Sequence, residues 1–222
     1  MKVGYLFLPL ILIACSSDSN KKLDSIEEIK NDFITTILID SSLDEGPFIM
    51  DYQLRAILVS DTVVSLFGNI FVFAHLPHGR TRYEGKTYVK SNDSFEELTL
   101  DDLFPQPCQK EFLRSYCENF FKVHNKCRFF CGTDASYNRL DQEFIKTFVV
   151  DHESLIIVFQ PYSVDGLDDI PLTVKIPFTE LTGKWKAGNL LEKHLPITKN
   201  FLSSWDKDNW ISDIQNDHLI TR

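Results

Sequence analysis

The sequence predicts an α+β fold, an antiparallel sheet with one long amphipathic helix packed on it and a carboxy-terminal extension. Three observations predict it. Runs rich in β-branched and aromatic residues recur in both halves of the chain. Between them, residues 109–123 space their apolar side chains at helical rather than alternating intervals. No internal repeat or low-complexity tract interrupts the pattern, so a solenoid is not expected.

Taken in order, residues 24–32 (DSIEEIKND) are polar and read as a short helix or a continued linker. Residues 33–39 (FITTILI) are β-branched enough to predict a strand. Residues 52–60 and 62–75 are two more, meeting near Ser60-Asp61, where a break between apolar runs predicts a hairpin. Residues 82–90 (RYEGKTYVK) make a fourth, polar enough for an edge or for one wet face. Thr99, with Asp102 three residues on, predicts a capped helical turn, and Pro105 and Pro107 end it. The long helix follows, its stripe formed by Phe112, Leu113, Tyr116, Cys117, Phe120 and Phe121. Residues 143–150 and 154–159 are strands around a turn at Asp151-His152-Glu153, and residues 172–176 alternate up to Pro177. Beyond Gly183, Leu190, Leu191, Leu195, Phe201 and Leu202 predict helices or loops docked on the sheet. All three tryptophans, Trp185, Trp205 and Trp210, fall in the last 38 residues. They serve either packing or, as the sharper alternative, a stacking surface for sugar.

The amino terminus carries a different signal. Lys2 precedes eleven residues (3–13) that are mostly apolar, too short for a spanning helix, which needs about 20. The stretch ends in Leu12-Ile13-Ala14-Cys15, which resembles the lipobox of bacterial lipoproteins. That resemblance implies cleavage before Cys15 and acylation of its sulfur and new amine, an anchor of several chains that holds stably. Residues 16–22 contain no apolar side chain and read as a solvated tether. The expected organisation is a signal peptide (1–14), a lipidated cysteine with its tether (15–32), one extracytoplasmic domain (33–183) and an extension (184–222). The location expected is the cell envelope. Ser16 after the cysteine favours the outer membrane, facing the periplasm, in a cell with two membranes.

Charge narrows the partners. The formal net charge is −9, and loss of Lys2 with the signal makes it −10. Such a chain is repelled by nucleic acid and by anionic lipid, whereas a basic protein is attracted. With 43% apolar residues and 18 Phe, a packed core is assured.

The other four cysteines, Cys108, Cys117, Cys127 and Cys131, occupy a 24-residue window. Outside the cytoplasm an even, clustered set predicts two disulfides. Along a helix Cys108 and Cys117 stand about 13 Å apart, beyond the roughly 7 Å reach of a bridge, which disfavours 108–117 with 127–131; of the two remaining pairings, matched segment lengths favour 117–127 nested within 108–131. The alternative is a zinc site using His124, Cys127 and Cys131 with Cys117 nearby.

No catalytic signature is present: no G-x-S-x-G, no H-E-x-x-H, no P-loop and no glycine-rich dinucleotide fingerprint. His75 and His78 flank Leu76-Pro77 and read as solvated loop residues. The adjacent carboxylates Asp101-Asp102 and Asp168-Asp169 point apart and read as caps or loop charges. The domain is therefore expected to be non-catalytic, with no cofactor and no resident metal.

Two segments carry a resemblance. One is Leu98-Thr99-Leu100-Asp101-Asp102-Leu103-Phe104 ahead of the helix. The other runs from Phe148 through residues 155–164 (LIIVFQPYSV) to residues 174–181 (VKIPFTEL). Together they resemble the extracytoplasmic domain shared by anti-sigma factors of the RsiV type, which sense lysozyme, and peptidoglycan deacetylases of the PdaC type. His78-Gly79 stands where that family has an Ala-His-Gly motif, with Pro77 in place of the alanine. The resemblance covers residues 50–183 and implies a sheet with a helix across it and work at the cell wall. It implies neither sigma-factor control nor deacetylation. The family carries a glycine where Ile170-Pro171 stand here, and the cysteines and the tryptophan-bearing tail lie outside its pattern.

The function expected is a binding module of the envelope whose partner is a basic protein such as lysozyme. A structural or peptidoglycan-binding role, using Trp185, Trp205, Trp210 and His78, is the alternative. A small metal-dependent hydrolase is a further one.

Overall fold

A computed structural model describes residues 22–45, 49–72, 80–124, 126, 140, 142–160 and 171–197. The class is α+β, with the strands divided between two antiparallel sheets rather than gathered in one. The first contains β1 (Ile49–Val59), β2 (Val63–Val72), β3 (Arg80–Ser91) and β4 (Ser94–Leu98) in that order. The second contains β5 (Thr147–Val150), β6 (Ser154–Phe159) and β7 (Leu172–Pro177). Four α-helices accompany them among the described residues: α1 (Ile26–Glu45), α2 (Leu100–Leu103), α3 (Pro107–Val123) and α4 (Phe178–Leu181).

Residues 33–39, expected as a strand, lie inside α1. The start signal is local: the Ser25 hydroxyl accepts the Glu28 amide at 3.2 Å, and the Glu28 carboxylate accepts the Asp24 amide. Thr35 and Thr36 turn their hydroxyls back onto the carbonyls of Asn31 and Asp32, so their polar groups fit a helix. Ile29 and Phe33, one turn apart, are fully buried against the first sheet with Leu54, Ala56, Leu66, Tyr88 and Phe95. Burying two such side chains contributes about 3–6 kcal/mol, more than the β preference of a few residues can oppose.

Ser60 closes the predicted β1–β2 hairpin. Its amide donates to the Val63 carbonyl at 2.9 Å, and its hydroxyl accepts the Val63 amide at 2.8 Å. The third strand is not an edge, since β3 pairs with β2 on one side and β4 on the other. The short strand β4, which polarity had hidden, forms because Asn92 adopts φ 58° in the turn that pairs Ser91 with Ser94. Thr99 and Asp102 make the reciprocal capping box that opens α2. α3 begins at Pro107, where a missing amide costs nothing, and its last turn closes with the Lys126 amide on the Phe121 carbonyl.

The layers follow from strand alternation. α1 covers one face of the first sheet. A small cluster of Phe67, Val149, Ile156 and Val158 fills part of the space between the sheets, and beside it Leu58, Val63, Val89 and Leu98 of the first sheet join the main core. The far face of the second sheet (Phe148, Val150, Leu155, Ile157, Phe159, Val174 and Ile176) shares the main core with Leu113, Cys117 and Phe121 of α3. Phe121 meets Phe159 edge-on at 4.9 Å between centroids.

The sheets meet closely where β5 passes over β3. A Cβ on Gly85 would lie 2.7 Å from Val149 Cγ1 and 2.8 Å from the Phe148 carbonyl oxygen, so only glycine fits. Beside it, Ser65 Oγ accepts the Val150 amide at 2.8 Å and lies 3.0 Å from Thr87 Oγ1, with both side chains buried. The Gln160 carboxamide accepts the Tyr83 amide and donates to the Tyr83 carbonyl, extending the link by one more residue.

Gly85→Ala should therefore cost about 1–3 kcal/mol, the usual penalty for forcing an extra methyl into a packed interior. Urea denaturation measures it. A variant within about 0.5 kcal/mol of the parent would show that β5 does not press on this point.

Candidate functional site

Three buried or half-buried polar constellations stand out, and each has its hydrogen-bonding capacity committed. Asp151 Oδ1 accepts the amides of Glu153 and Ser154 and the Ser154 hydroxyl, all within 2.8 Å, while Oδ2 meets Lys175 Nζ at 2.6 Å. Burial alone would raise its pKa, but Lys175 and those donors outweigh burial and hold the carboxyl below the ordinary range. Such a carboxylate fixes the β5–β6 turn and makes a poor general base.

The second constellation runs along α3. Arg114 bridges Glu111 and Glu118, Lys122 also binds Glu118, and Glu118 Oε2 accepts the Leu140 amide. Burial pushes Glu118 up, yet Lys122, the Leu140 amide and Arg114 together bring it below its usual value. The arrangement ties Leu140, which is buried in the main core, to the helix. The third lies under α1, where the Tyr88 hydroxyl donates to Asp32 at 3.1 Å and Lys86 reaches Glu97 at 2.7 Å. Burial first, and then the charge of Asp32, push the Tyr88 phenol far up, so it stays protonated.

The residues singled out by sequence fare unevenly. Cys108 lies exposed in the first turn of α3, and Cys117 faces inward from its stripe with no exposed surface. Both are free thiols, so no disulfide joins the described cysteines; Cys127 and Cys131 lie outside the described residues. Burial raises the Cys117 thiol well above its normal pKa, which makes it inert as a nucleophile. His124, offered as a zinc ligand, stacks on Phe120 at 4.2 Å, with Nδ1 2.8 Å from the Phe120 carbonyl. Among the described residues no group of three His, Cys, Asp or Glu is placed to hold a metal.

Trp185 is only 4% exposed and packs beside Phe178, so it has no open face for a sugar; its role is packing, because the apolar ring completes the main core. Cys15, His75, His78, Trp205 and Trp210 lie outside the described residues. No helix of the described residues is long and apolar enough to cross a membrane.

One contact at the start of the fold was not anticipated. Leu23, the second described residue, forms a two-bond bridge with β4: its amide donates to the Phe95 carbonyl at 3.1 Å, and the Phe95 amide donates back at 2.7 Å. Leu23 is thus paired at the very start of the described residues, and in sequence it follows the polar residues 16–22. The cue in the sequence is the single apolar residue, Leu23, between the polar residues 16–22 and the capping pair Ser25 and Glu28.

No family model matches the chain, and no curated protein sequence matches it. Among solved structures it is similar to a DUF3298 family protein from Pseudomonas aeruginosa PAO1, at 18% identity and a TM-score of 0.45 over 75% of this chain and 71% of that one. It is also similar to a DUF3298 family member from Bacteroides fragilis NCTC 9343, at 14% identity and a TM-score of 0.46 over 75% of this chain and 66% of that one. No activity, ligand or partner passes from either to this chain.

The Asp151 turn gives a pH signature. A carboxyl depressed in the fold adds stability above its unfolded pKa of about 3.9, and that stability fades as pH falls through the lower folded value. Asp151→Asn should cost about 2 kcal/mol at pH 7, the scale of hydrogen bonds to a charged group. By pH 3 the gap to the parent should narrow. Denaturation at the two pH values tests it, and an equal gap at both would contradict the assignment.

Proposed function

We propose that this chain is an exported, lipid-anchored binding protein of the cell envelope, acting without catalysis. One observation carries the reading: in sequence, Leu12-Ile13-Ala14-Cys15 and a polar seven-residue stretch lead to Leu23, which among the described residues is paired with Phe95 at the very start of the fold. That is the arrangement of a domain hung by its amino terminus. The saturated carboxylates of Asp151 and Glu118 and the buried Cys117 add to the non-catalytic reading, since they serve turns and packing. In a cell with two membranes the domain faces the periplasm.

The partner proposed is a basic protein, lysozyme being the model compound. The support is electrostatic: a mature charge one unit more negative than the −9 of the full chain favours encounter with a cationic surface. Glycan binding has less to stand on, because Trp185 is committed to the core.

In cells fed labelled palmitate, Cys15→Ala should abolish acylation and release the protein from the membrane fraction. Retention of Cys15→Ala in the detergent phase at the parent's level would refute the anchor. Against the soluble domain, lysozyme should bind at low salt and lose affinity as salt rises. No binding at micromolar concentration in low salt would remove lysozyme as the partner.

A further inference from the structure

We infer that the first sheet, on its face away from α1 and beyond the β5 crossing, carries a second binding surface that takes a saccharide bearing a carboxylate. The inference goes beyond the binding reading above. It depends on neither the anchor nor the basic partner, because it rests on other residues and on the opposite charge. Glycan recognition, which Trp185 cannot support, here has a different set of side chains.

Sheet geometry builds the surface. Side chains two residues apart on a strand share a face. Leu54, Ala56 and Leu66 face α1 with Ile29 and Phe33, so Gln53, Arg55, Phe67, Asn69 and Phe71 lie on the other side with Tyr83. The register is regular there. Arg55 is opposite Phe67, which is opposite Gly85, and Gln53 is opposite Asn69, which is opposite Tyr83. Phe71 stands one row farther on, opposite Thr81. Three strands and three rows span roughly 10 Å by 14 Å, room for a short saccharide.

Cover from the second sheet fades along these rows. Val149 and the Phe148 carbonyl press on Gly85, and Phe67 is only 8% exposed beside Val149, Ile156 and Val158. Asn69 and Tyr83 are half-buried and Gln53 is exposed. Phe71 is 36% exposed. The other large apolar side chain exposed among the described residues is Val123, at the last position of α3, where a helix frays. Phe71 stands instead in a strand paired on both sides, so the sheet itself holds its ring toward solvent.

The make-up of the patch sets its ligand. Arg55 is half-buried and forms no ion pair or hydrogen bond among the described residues, so its fork of donors is open to a carboxylate. Gln53 and Asn69, likewise uncommitted among the described residues, each offer a carbonyl and an amide to hydroxyl or acetamido groups. Phe71 supplies an open ring face, on which the C–H side of a pyranose can lie. Tyr83 is stacked on Phe67 at 5.7 Å, and the Gln160 carboxamide holds both of its backbone groups. The platform is thus formed before any ligand arrives, which lowers the cost of binding. A cationic protein surface would meet the Arg55 charge here. An acidic peptide would use Arg55 but has no flat apolar face to match Phe71.

The test titrates the full-length protein in detergent with two sugars, read by saturation-transfer NMR and calorimetry. N-acetylmuramic acid carries the carboxylate, and N-acetylglucosamine has the same ring and acetamido group without it. The first should bind about tenfold tighter or more, the scale of hydrogen bonds to a charged group. Arg55→Gln should erase that preference, and Arg55→Lys should keep part of it. Phe71→Ala, which removes an exposed ring and leaves the core intact, should weaken both sugars by the same factor. No binding of either sugar at millimolar concentration overturns the surface. Equal affinity for the two in the parent overturns the carboxylate. A preference that survives Arg55→Gln, or affinities unchanged in Phe71→Ala, overturns the placement. Tighter binding of a short Asp/Glu peptide, lost in Arg55→Gln, gives the surface to acidic peptides and overturns the sugar. None of these results bears on the anchor or on lysozyme, which have their own tests.

Discussion

The fold turns on the point where β5 crosses β3. Gly85 lets the Phe148 carbonyl and the Val149 side chain approach to distances that any other residue would block. Once the backbones are that close, the Val150 amide is cut off from water and needs a partner. Ser65 provides it, supported by Thr87 opposite on the neighbouring strand. Leaving such an amide unpaired costs about 1–3 kcal/mol, so the glycine and the hydroxyl belong to one solution. The apolar cluster at the crossing has four buried members, and beside it Leu58, Val63, Val89 and Leu98 carry the main core from the first sheet to the second, so the polar link adds alignment to an apolar contact. Around it, one helix covers the outer face of the first sheet, and a larger core to which both sheets contribute lies under the other helix.

What the sequence made legible were the local signals. The Ser60 turn, the Thr99–Asp102 box, the α3 stripe and the Asp151 turn all depend on residues within a few positions of one another, and all formed as expected. What stayed hidden was non-local. Residues 33–39 carry a strand-like composition, and only the sheet face awaiting Ile29 and Phe33 makes them helical. Polarity made β3 look peripheral. Its Lys86 and Tyr88 are in fact spent on Glu97 and on Asp32 beneath α1, while Gly85 and Thr87 face the second sheet. A lone glycine inside a β-rich run was the available sign of that close approach.

The candidate site divides the same way. The lipobox-like motif is read entirely from neighbours in sequence and lies outside the described residues, whereas the Leu23 bridge to Phe95 became visible only in the fold. Trp185 illustrates the opposite case, because composition alone cannot separate a stacking ring from a packed one, and the core claims it. Cys117 shows how one periodicity serves two readings. The stripe correctly placed it inward, and the same burial keeps its thiol protonated and inert.

If the β3–β5 crossing joins the sheets into one cooperative unit, both halves must open together. Native-state hydrogen exchange tests this most directly, comparing the slowest amides of β2 and β3 with those of β5 and β6. Opening free energies should be equal to within about 1 kcal/mol, should both match global unfolding, and should fall together in Ser65→Ala. Exchange of β2 and β3 through a separate opening, several kcal/mol below that of β5 and β6 and insensitive to Ser65→Ala, would contradict it.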